Sequence, residues 1–297
     1  MSKSHQRTNR SLLQRLQNQQ TLNFWLTNRV PRGVLTRLMG RFSRIRSRRM
    51  TALAIRIWRL FADDLRLHEA ERREFDSLRD CFIRRLKPGV RPVDRRPRVL
   101  TSPCDAEIGA LGRIEGDSAL QAKGMVYRLS ELVRDPTLAA SHRGGWFVTL
   151  RLKSSMYHRF HAPCAGRLRW VRYIAGEVYN VNPPALARIP RLFCVNERAV
   201  LPLRSDLGRI TLVPVAAILV ASMRIHALPA TLNTRSSGPD RIECDARFEK
   251  GDELGFFEHG STMIVLTGPG FELSEGIESG RIIRMGQPLL RGIRQRR

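Results

Sequence analysis

Gly255-Phe256-Phe257-Glu258-His259-Gly260-Ser261-Thr262-Met263-Ile264-Val265-Leu266-Thr267 places a Gly-Ser bond at the head of an apolar run. Thr262 to Thr267 is short and β-branched, so it predicts a strand. The same texture recurs upstream in Ala106 to Ile108, Trp146 to Leu152, Arg167 to Ile174 and Arg209 to Val220, punctuated by Gly and Pro. These runs predict a strand-rich domain over residues 88–297. A loop is predicted from about Ala230 to Asp240, where Thr, Asn, Ser, Gly and Pro accumulate.

Before Pro88 the period changes. Val34, Leu35, Leu38, Met39, Phe42 and Ile45 recur at three- and four-residue spacing. At about 100° per residue they share an arc of roughly 140°. Arg37, Arg41, Arg44 and Arg48 fall on the neighbouring arc, as in an amphipathic helix whose arginines reach toward lipid headgroups. Further helices are predicted from Thr51 to about Leu67 and from Ala70 to Leu86, the latter with Phe75, Leu78, Phe82 and Ile83 as its core stripe. The fold class expected is therefore α+β: a helical, basic, membrane-associating region over 1–87, then the strand-rich domain that carries the chemistry.

The 297 residues are 42% hydrophobic and 27% charged, enough for a real core. The charge balance of +25 points to an acidic partner. Every basic residue from Lys3 to Arg59 precedes the first acid, Asp63, and apolar Leu12, Leu16, Phe24 and Trp25 are interleaved with them. Apolar plus basic favours an anionic phospholipid surface over nucleic acid. The arginine-rich start also suits a mitochondrial transit peptide, ranked below a retained membrane element. Cys81, Cys104, Cys164, Cys194 and Cys244 are odd in number with no Cys-x-x-Cys pair, which suggests reduced thiols and no zinc site. No apolar run reaches the ~18 residues of a membrane span, so a peripheral protein is expected.

The chemistry-bearing types are a serine, a histidine and a carboxylate. A serine hydroxyl needs a neighbouring base, and a carboxylate on the far ring nitrogen would orient that base. Asp105, His161 and Ser261 supply the three. His158 and His161 are three apart, but no further ligand stands nearby and no metal site is predicted. Around Ser261 there is no Gly-x-Ser-x-Gly elbow, which weighs against a serine hydrolase using the same three residues. A basic nucleic-acid-binding protein is the other alternative, although no such motif is present.

Several segments occur in an order that resembles the phosphatidylserine decarboxylase family. Tyr157-His158-Arg159-Phe160-His161-Ala162-Pro163 matches its Tyr-His-Arg-x-His-x-Pro pattern, and Ser102-Pro103-Cys104-Asp105-Ala106 resembles its Ser-Pro-x-Asp-Gly. Gln121-Ala122-Lys123-Gly124, Gly176 to Asn182, Asn196-Glu197-Arg198 and Gly286-Gln287-Pro288 agree as well, so the likeness covers roughly 70–290. Three departures stand out: Ala106 for glycine, His259 where leucine is frequent, and Ser155-Met156 where an acid often precedes the tyrosine.

The resemblance implies a proenzyme. Ser261 would attack the carbonyl of Gly260, the ester would break by β-elimination, and residue 261 would become a covalent pyruvoyl cofactor. That group would form a Schiff base with the amine of phosphatidylserine, release carbon dioxide and yield phosphatidylethanolamine. Asp105, His161 and Ser261 would serve maturation, and His158 would donate the proton. The resemblance further implies cleavage products that stay associated and a possible homodimer. A peripheral location on the cytoplasmic face of the bacterial inner membrane is expected, with no nucleic-acid partner.

Overall fold

The computed structural model describes residues 32–62, 64–122, 125–217, 222–229, 231–233, 240–258 and 261–293. His259, Gly260 and the apolar-basic residues before position 32 lie outside them.

Helix α1 (Arg32–Ser43) is followed by α2 (Arg48–Phe61). The Ser47 hydroxyl accepts from the Met50 N–H and caps α2, as a serine at this position should. The helix expected over Ala70 to Leu86 is much shorter: only α3 (Leu78–Phe82) forms. The ends of that stretch pair with each other instead, through an antiparallel bridge between Ala70 and Leu86 and the Lys87 N–H to Glu69 C=O bond of 2.9 Å. Buried Arg84 then donates to the carbonyls of Leu65, Cys81 and Ser155, binding this closed loop to the body. The Trp58 ring of α2 stacks 5.7 Å from Phe82 of α3.

The strand-rich part begins with β1 (Val99–Thr101), β2 (Ala106–Arg113), β3 (Ser118–Ala122), β4 (Met125–Arg128), β5 (Trp146–Leu152), β6 (Arg159–His161) and β7 (Gly166–Ile174). It continues with β8 (Arg198–Ser205), β9 (Gly208–Ala216), β10 (Ser222–Ile225), β11 (Leu232–Asn233), β12 (Arg241–Phe248) and β13 (Glu253–Phe257). The last strands are β14 (Ser261–Thr267), β15 (Phe271–Leu273), β16 (Ile282–Ile283) and β17 (Pro288–Gly292). Most of the loop expected over Ala230 to Asp240 lies outside the described residues, and Leu232–Asn233 within it pairs as β11.

An eight-stranded antiparallel sheet runs in the order β12-β7-β8-β9-β14-β5-β2-β16. Strand β14 lies between β9 and β5, and all of its residues are buried. Burial on both faces accounts for an apolar run without the usual alternation. A four-stranded sheet, β11-β10-β13-β6, lies beside it. Consecutive strands β13 and β14 belong to different sheets, so the chain crosses from one to the other between Phe257 and Ser261. Within the four-stranded sheet Gly255 lets β13 sit close between β10 and β6, because a Cβ there would lie 2.0 Å from the Arg224 carbonyl and 2.7 Å from the Phe160 ring. Among the described residues no helix is long and apolar enough to cross a membrane.

Candidate active site

Ser261 opens β14 opposite Leu152 on one side and Ala216 on the other. It is 0% exposed, and its Oγ has no hydrogen-bond partner among the described residues. A hydroxyl buried this way costs about 1–3 kcal/mol. A hydrolytic serine must also reach an incoming carbonyl and lean on a base, and neither condition is met here. Ala216 is itself fastened: its carbonyl accepts from Asn196 Nδ2 at 2.8 Å, and its N–H donates to the Glu197 carbonyl at 2.8 Å. The Glu197 side chain beneath is fully buried and accepts from the Tyr173 hydroxyl at 2.9 Å. Burial pushes its carboxyl up to about 7 although the Tyr173 bond opposes this.

His161 ends β6, where its N–H bonds the Pro103 carbonyl at 2.7 Å and so brings the Ser102–Asp105 turn alongside. Its Nδ1 lies 2.9 Å from the Gly251 carbonyl and must therefore donate. In the neutral ring Nε2 then accepts from the Tyr157 hydroxyl, 3.0 Å away. Burial lowers the His161 pKa, with the Gly251 bond and the charges of Glu253 and Asp105 pulling the other way. A neutral imidazole, able to act as a base, is the result. Gly251 holds φ +93°, and a Cβ there would press Val93 at 2.9 Å, so glycine is required where this carbonyl is aimed.

Asp105 does not hold the far ring nitrogen, as the serine-histidine-carboxylate arrangement would have it. Its carboxylate is taken by buried Arg91, with Nε at 2.9 and 3.0 Å and Nη2 at 2.5 Å, and by the Met285 N–H at 2.9 Å. A forked, charge-assisted pair is stronger than a bond to a neutral ring. The Gly251 carbonyl does the orienting that the sequence assigned to a carboxylate. Arg91 also reaches Glu69 at 2.8 Å. Ala106 opens β2 in ordinary strand backbone, so alanine in place of glycine meets no left-handed requirement there.

His158 is fully buried and donates from Nδ1 to the Met156 carbonyl at 2.8 Å. Its ring centroid is 3.9 Å from that of Phe82 on α3. Its carbonyl accepts from the Phe257 N–H at 3.0 Å, which sets it beside the chain leading into Ser261. Glu258 follows and is held by Arg79 at 2.6 Å and Arg44 at 3.0 Å. Burial disfavours its ionised form, but the bonds from Arg79, Ser222 and Arg44 prevail and bring the carboxyl down to about 2. The end of β13 is thereby tied to the helical region.

The structure thus gathers Asp105, His158 and His161 around the β6–β13 edge, next to the crossing that ends at Ser261. No hydrogen bond joins Asp105, His161 and Ser261 directly. Arg91, Gly251 and Glu258 were not singled out by sequence. Only Tyr157, within the matched heptad, carried a signal. Among the described residues no group of three His, Cys, Asp or Glu side chains could hold a metal ion.

The family model described as phosphatidylserine decarboxylase matches residues 78–291. A phosphatidylserine decarboxylase proenzyme of Brevibacillus brevis is 36% identical over 270 residues, covering 89% of this chain and 95% of the relative. Those of an Anaeromyxobacter species and of Vibrio cholerae are 36% identical over 269 residues and 34% over 278, covering 88% and 90% of this chain and 94% and 96% of theirs. A family match across most of the chain, joined to the buried serine at the sheet crossing, makes this protein a member of the phosphatidylserine decarboxylase family, a carboxy-lyase.

Proposed function

We propose that the chain is a proenzyme that cleaves itself between Gly260 and Ser261 and then converts phosphatidylserine to phosphatidylethanolamine. The observation that carries this reading is the fully buried Ser261 Oγ with no partner among the described residues. Turning residue 261 into a pyruvoyl group removes that stranded hydroxyl. His161 takes the Ser261 proton at Nε2 once the Tyr157 hydroxyl swings aside, and the Gly251 carbonyl steadies the Nδ1–H as the ring gains charge. Asp105, gripped by Arg91, adds a negative potential to the same ring. Ser261 Oγ attacks the Gly260 carbonyl carbon and displaces the peptide nitrogen. Loss of the Ser261 α-proton then expels Gly260 as a carboxylate, and water releases ammonia to leave the ketone.

The pyruvoyl group supplies a carbonyl that condenses with a primary amine and draws in the electron pair freed when carbon dioxide leaves. His158 delivers the replacing proton from Nε2, its Nδ1–H bond to Met156 supporting the charged ring. The two chains stay together because β14, which opens the small chain, remains paired with β5 and β9 of the large one.

The basic region over 1–87, whose described residues carry α1 and α2, supplies the membrane contact and residues 88–297 the chemistry. On α2, Met50, Leu53, Ile57 and Leu60 form an exposed apolar stripe, with Leu53 59% and Leu60 65% exposed, and Leu38, Phe42 and Ile45 extend it. Arginines flank it, as on a helix lying in an anionic interface. Leu53→Glu/Leu60→Glu is expected to weaken sedimentation with anionic vesicles at least ~10-fold, since each leucine buried in lipid contributes about 1.5–3 kcal/mol. Unchanged sedimentation would move the membrane surface elsewhere. The reading places the protein on the cytoplasmic face of a bacterial inner membrane.

Intact mass spectrometry, before and after a ketone-capturing reagent, tests the central claim. Chains 1–260 and 261–297 are expected, with only the smaller one gaining the reagent. A single uncut chain in the folded, active protein would overturn it.

A further inference from the structure

At the end of the large sheet remote from Ser261, four arginines stand in one cross-strand row. Arg247 of β12 pairs in register with Arg167 of β7, Arg167 with Arg204 of β8, and Arg204 with Arg209 of β9. Direct cross-strand neighbours of like charge destabilise a sheet, and these recur at each ~4.8 Å strand spacing. Asp245 pairs with Arg167 and its charge also acts on Arg247, while Arg204 and Arg209 take part in no ion pair among the described residues. Arg204 and Arg209 also line a cavity of about 380 Å³ with Arg169, Arg241 and Trp170 in its wall. The acids that line it are engaged already: Asp135 by Arg172 and Glu243 by Arg241.

We propose that this row and cavity form a binding site for a soluble ligand bearing two or more phosphate groups. A guanidinium fork grips two phosphate oxygens at once, and adjacent forks in line suit successive phosphates. A concave site of this size favours a small molecule over a flat protein surface. A second copy meeting the row through a two-fold contact would set arginine against arginine. Membrane headgroups are disfavoured by position. The row adjoins Ile210, the partner of Thr267, which lies six residues along β14 from Ser261, or ~20 Å. The apolar stripe of α1 and α2 is tied to the Ser261 end through Glu258. The choice of a soluble ligand rests on the membrane-facing reading of those helices, but the existence of the site does not.

Inorganic tripolyphosphate is the probe, added to the full-length protein. Wild type is expected to show a saturable rise in melting temperature of about 4 °C at a hundredfold excess over Kd. Arg204→Gln/Arg209→Gln should bind on the order of 100-fold more weakly, because two charge-assisted contacts are lost. Without the probe, the variant should melt no lower than wild type, since like-charge contacts have been relieved. A variant that melts lower and keeps the full shift would show the arginines to be merely structural and overturn the site, as would absence of any saturable shift in wild type. Sedimentation with anionic vesicles should be equal for the two proteins. Weaker vesicle binding by the variant would reassign the row to lipid headgroups and overturn the soluble ligand, while leaving self-cleavage at Ser261 untouched.

Discussion

Ser261→Ala is expected to remain one uncut chain of residues 1–297 and to release carbon dioxide from phosphatidylserine at no more than background rate. The loss is complete because the hydroxyl is both the nucleophile that breaks the chain and the oxygen that departs with the Gly260 carboxylate in the elimination, without which residue 261 cannot become the ketone. Measured against the uncleaved wild-type precursor, stability should move the opposite way to activity. The Oγ is buried and lacks a partner among the described residues, so its removal relieves a desolvation cost of about 1–3 kcal/mol. Its Cβ stays in place between Leu152 and Ala216, so no cavity larger than one oxygen opens. Gel electrophoresis for cleavage and a denaturant midpoint for stability check both halves. An alanine variant that is still processed would sink the pyruvoyl reading. One that stays uncut but loses stability would show that Oγ is tied into the fold, and would make the failure to cleave ambiguous.

Local composition and period were enough to place the strands that make the core. Trp146 to Leu152 was read residue for residue as β5, and the run after Ser261 was read as β14, because β-branched runs bounded by turn residues have few other uses. The helix drawn over Ala70 to Leu86 failed because its apolar spacing also suits a closed loop. The bridge between Ala70 and Leu86 and the reach of Arg84 to Leu65 and Ser155 are decided by distant carbonyls, which no period reveals. The site divides in the same way. Its reactive types were visible in matched segments, whereas their partners were not. Gly251 is 90 positions from the ring it orients. Arg91 carries no motif, yet it takes the carboxylate that the sequence had assigned to His161. Two donors could have taken the Asp105 carboxylate, and the charged Arg91 fork prevailed over the neutral His161 ring.

Arg91→Met should therefore cost more than an ordinary core substitution. Arg91 is buried and serves two buried acids at once, Asp105 at 2.5 Å and Glu69 at 2.8 Å. Removing the shared cation leaves uncompensated charge beneath the surface, a loss of about 3–5 kcal/mol, against the 5–15 kcal/mol that keeps a typical domain folded. Glu69 shows the sign of the accompanying pH effect. Burial raises its carboxyl pKa, but the bonds from Arg91 and Arg66 outweigh this and hold it below the ordinary 4.5. Its contribution to stability is thus present above that value and is lost as the pH falls through the lowered one. In Arg91→Met the acid-side loss should shrink, because the cation that made ionisation favourable is gone. Cleavage should slow with it, since among the described residues the Met285 N–H alone would then bond Asp105. Arg91→Lys separates the two effects: it keeps a charge near both acids and recovers part of the stability, but its single ammonium cannot hold Asp105 by a fork. Lysine that restores the denaturant midpoint without restoring the cleavage half-time would mark Arg91 as a positioning residue for Asp105. A methionine variant with wild-type midpoint and wild-type cleavage would refute the network.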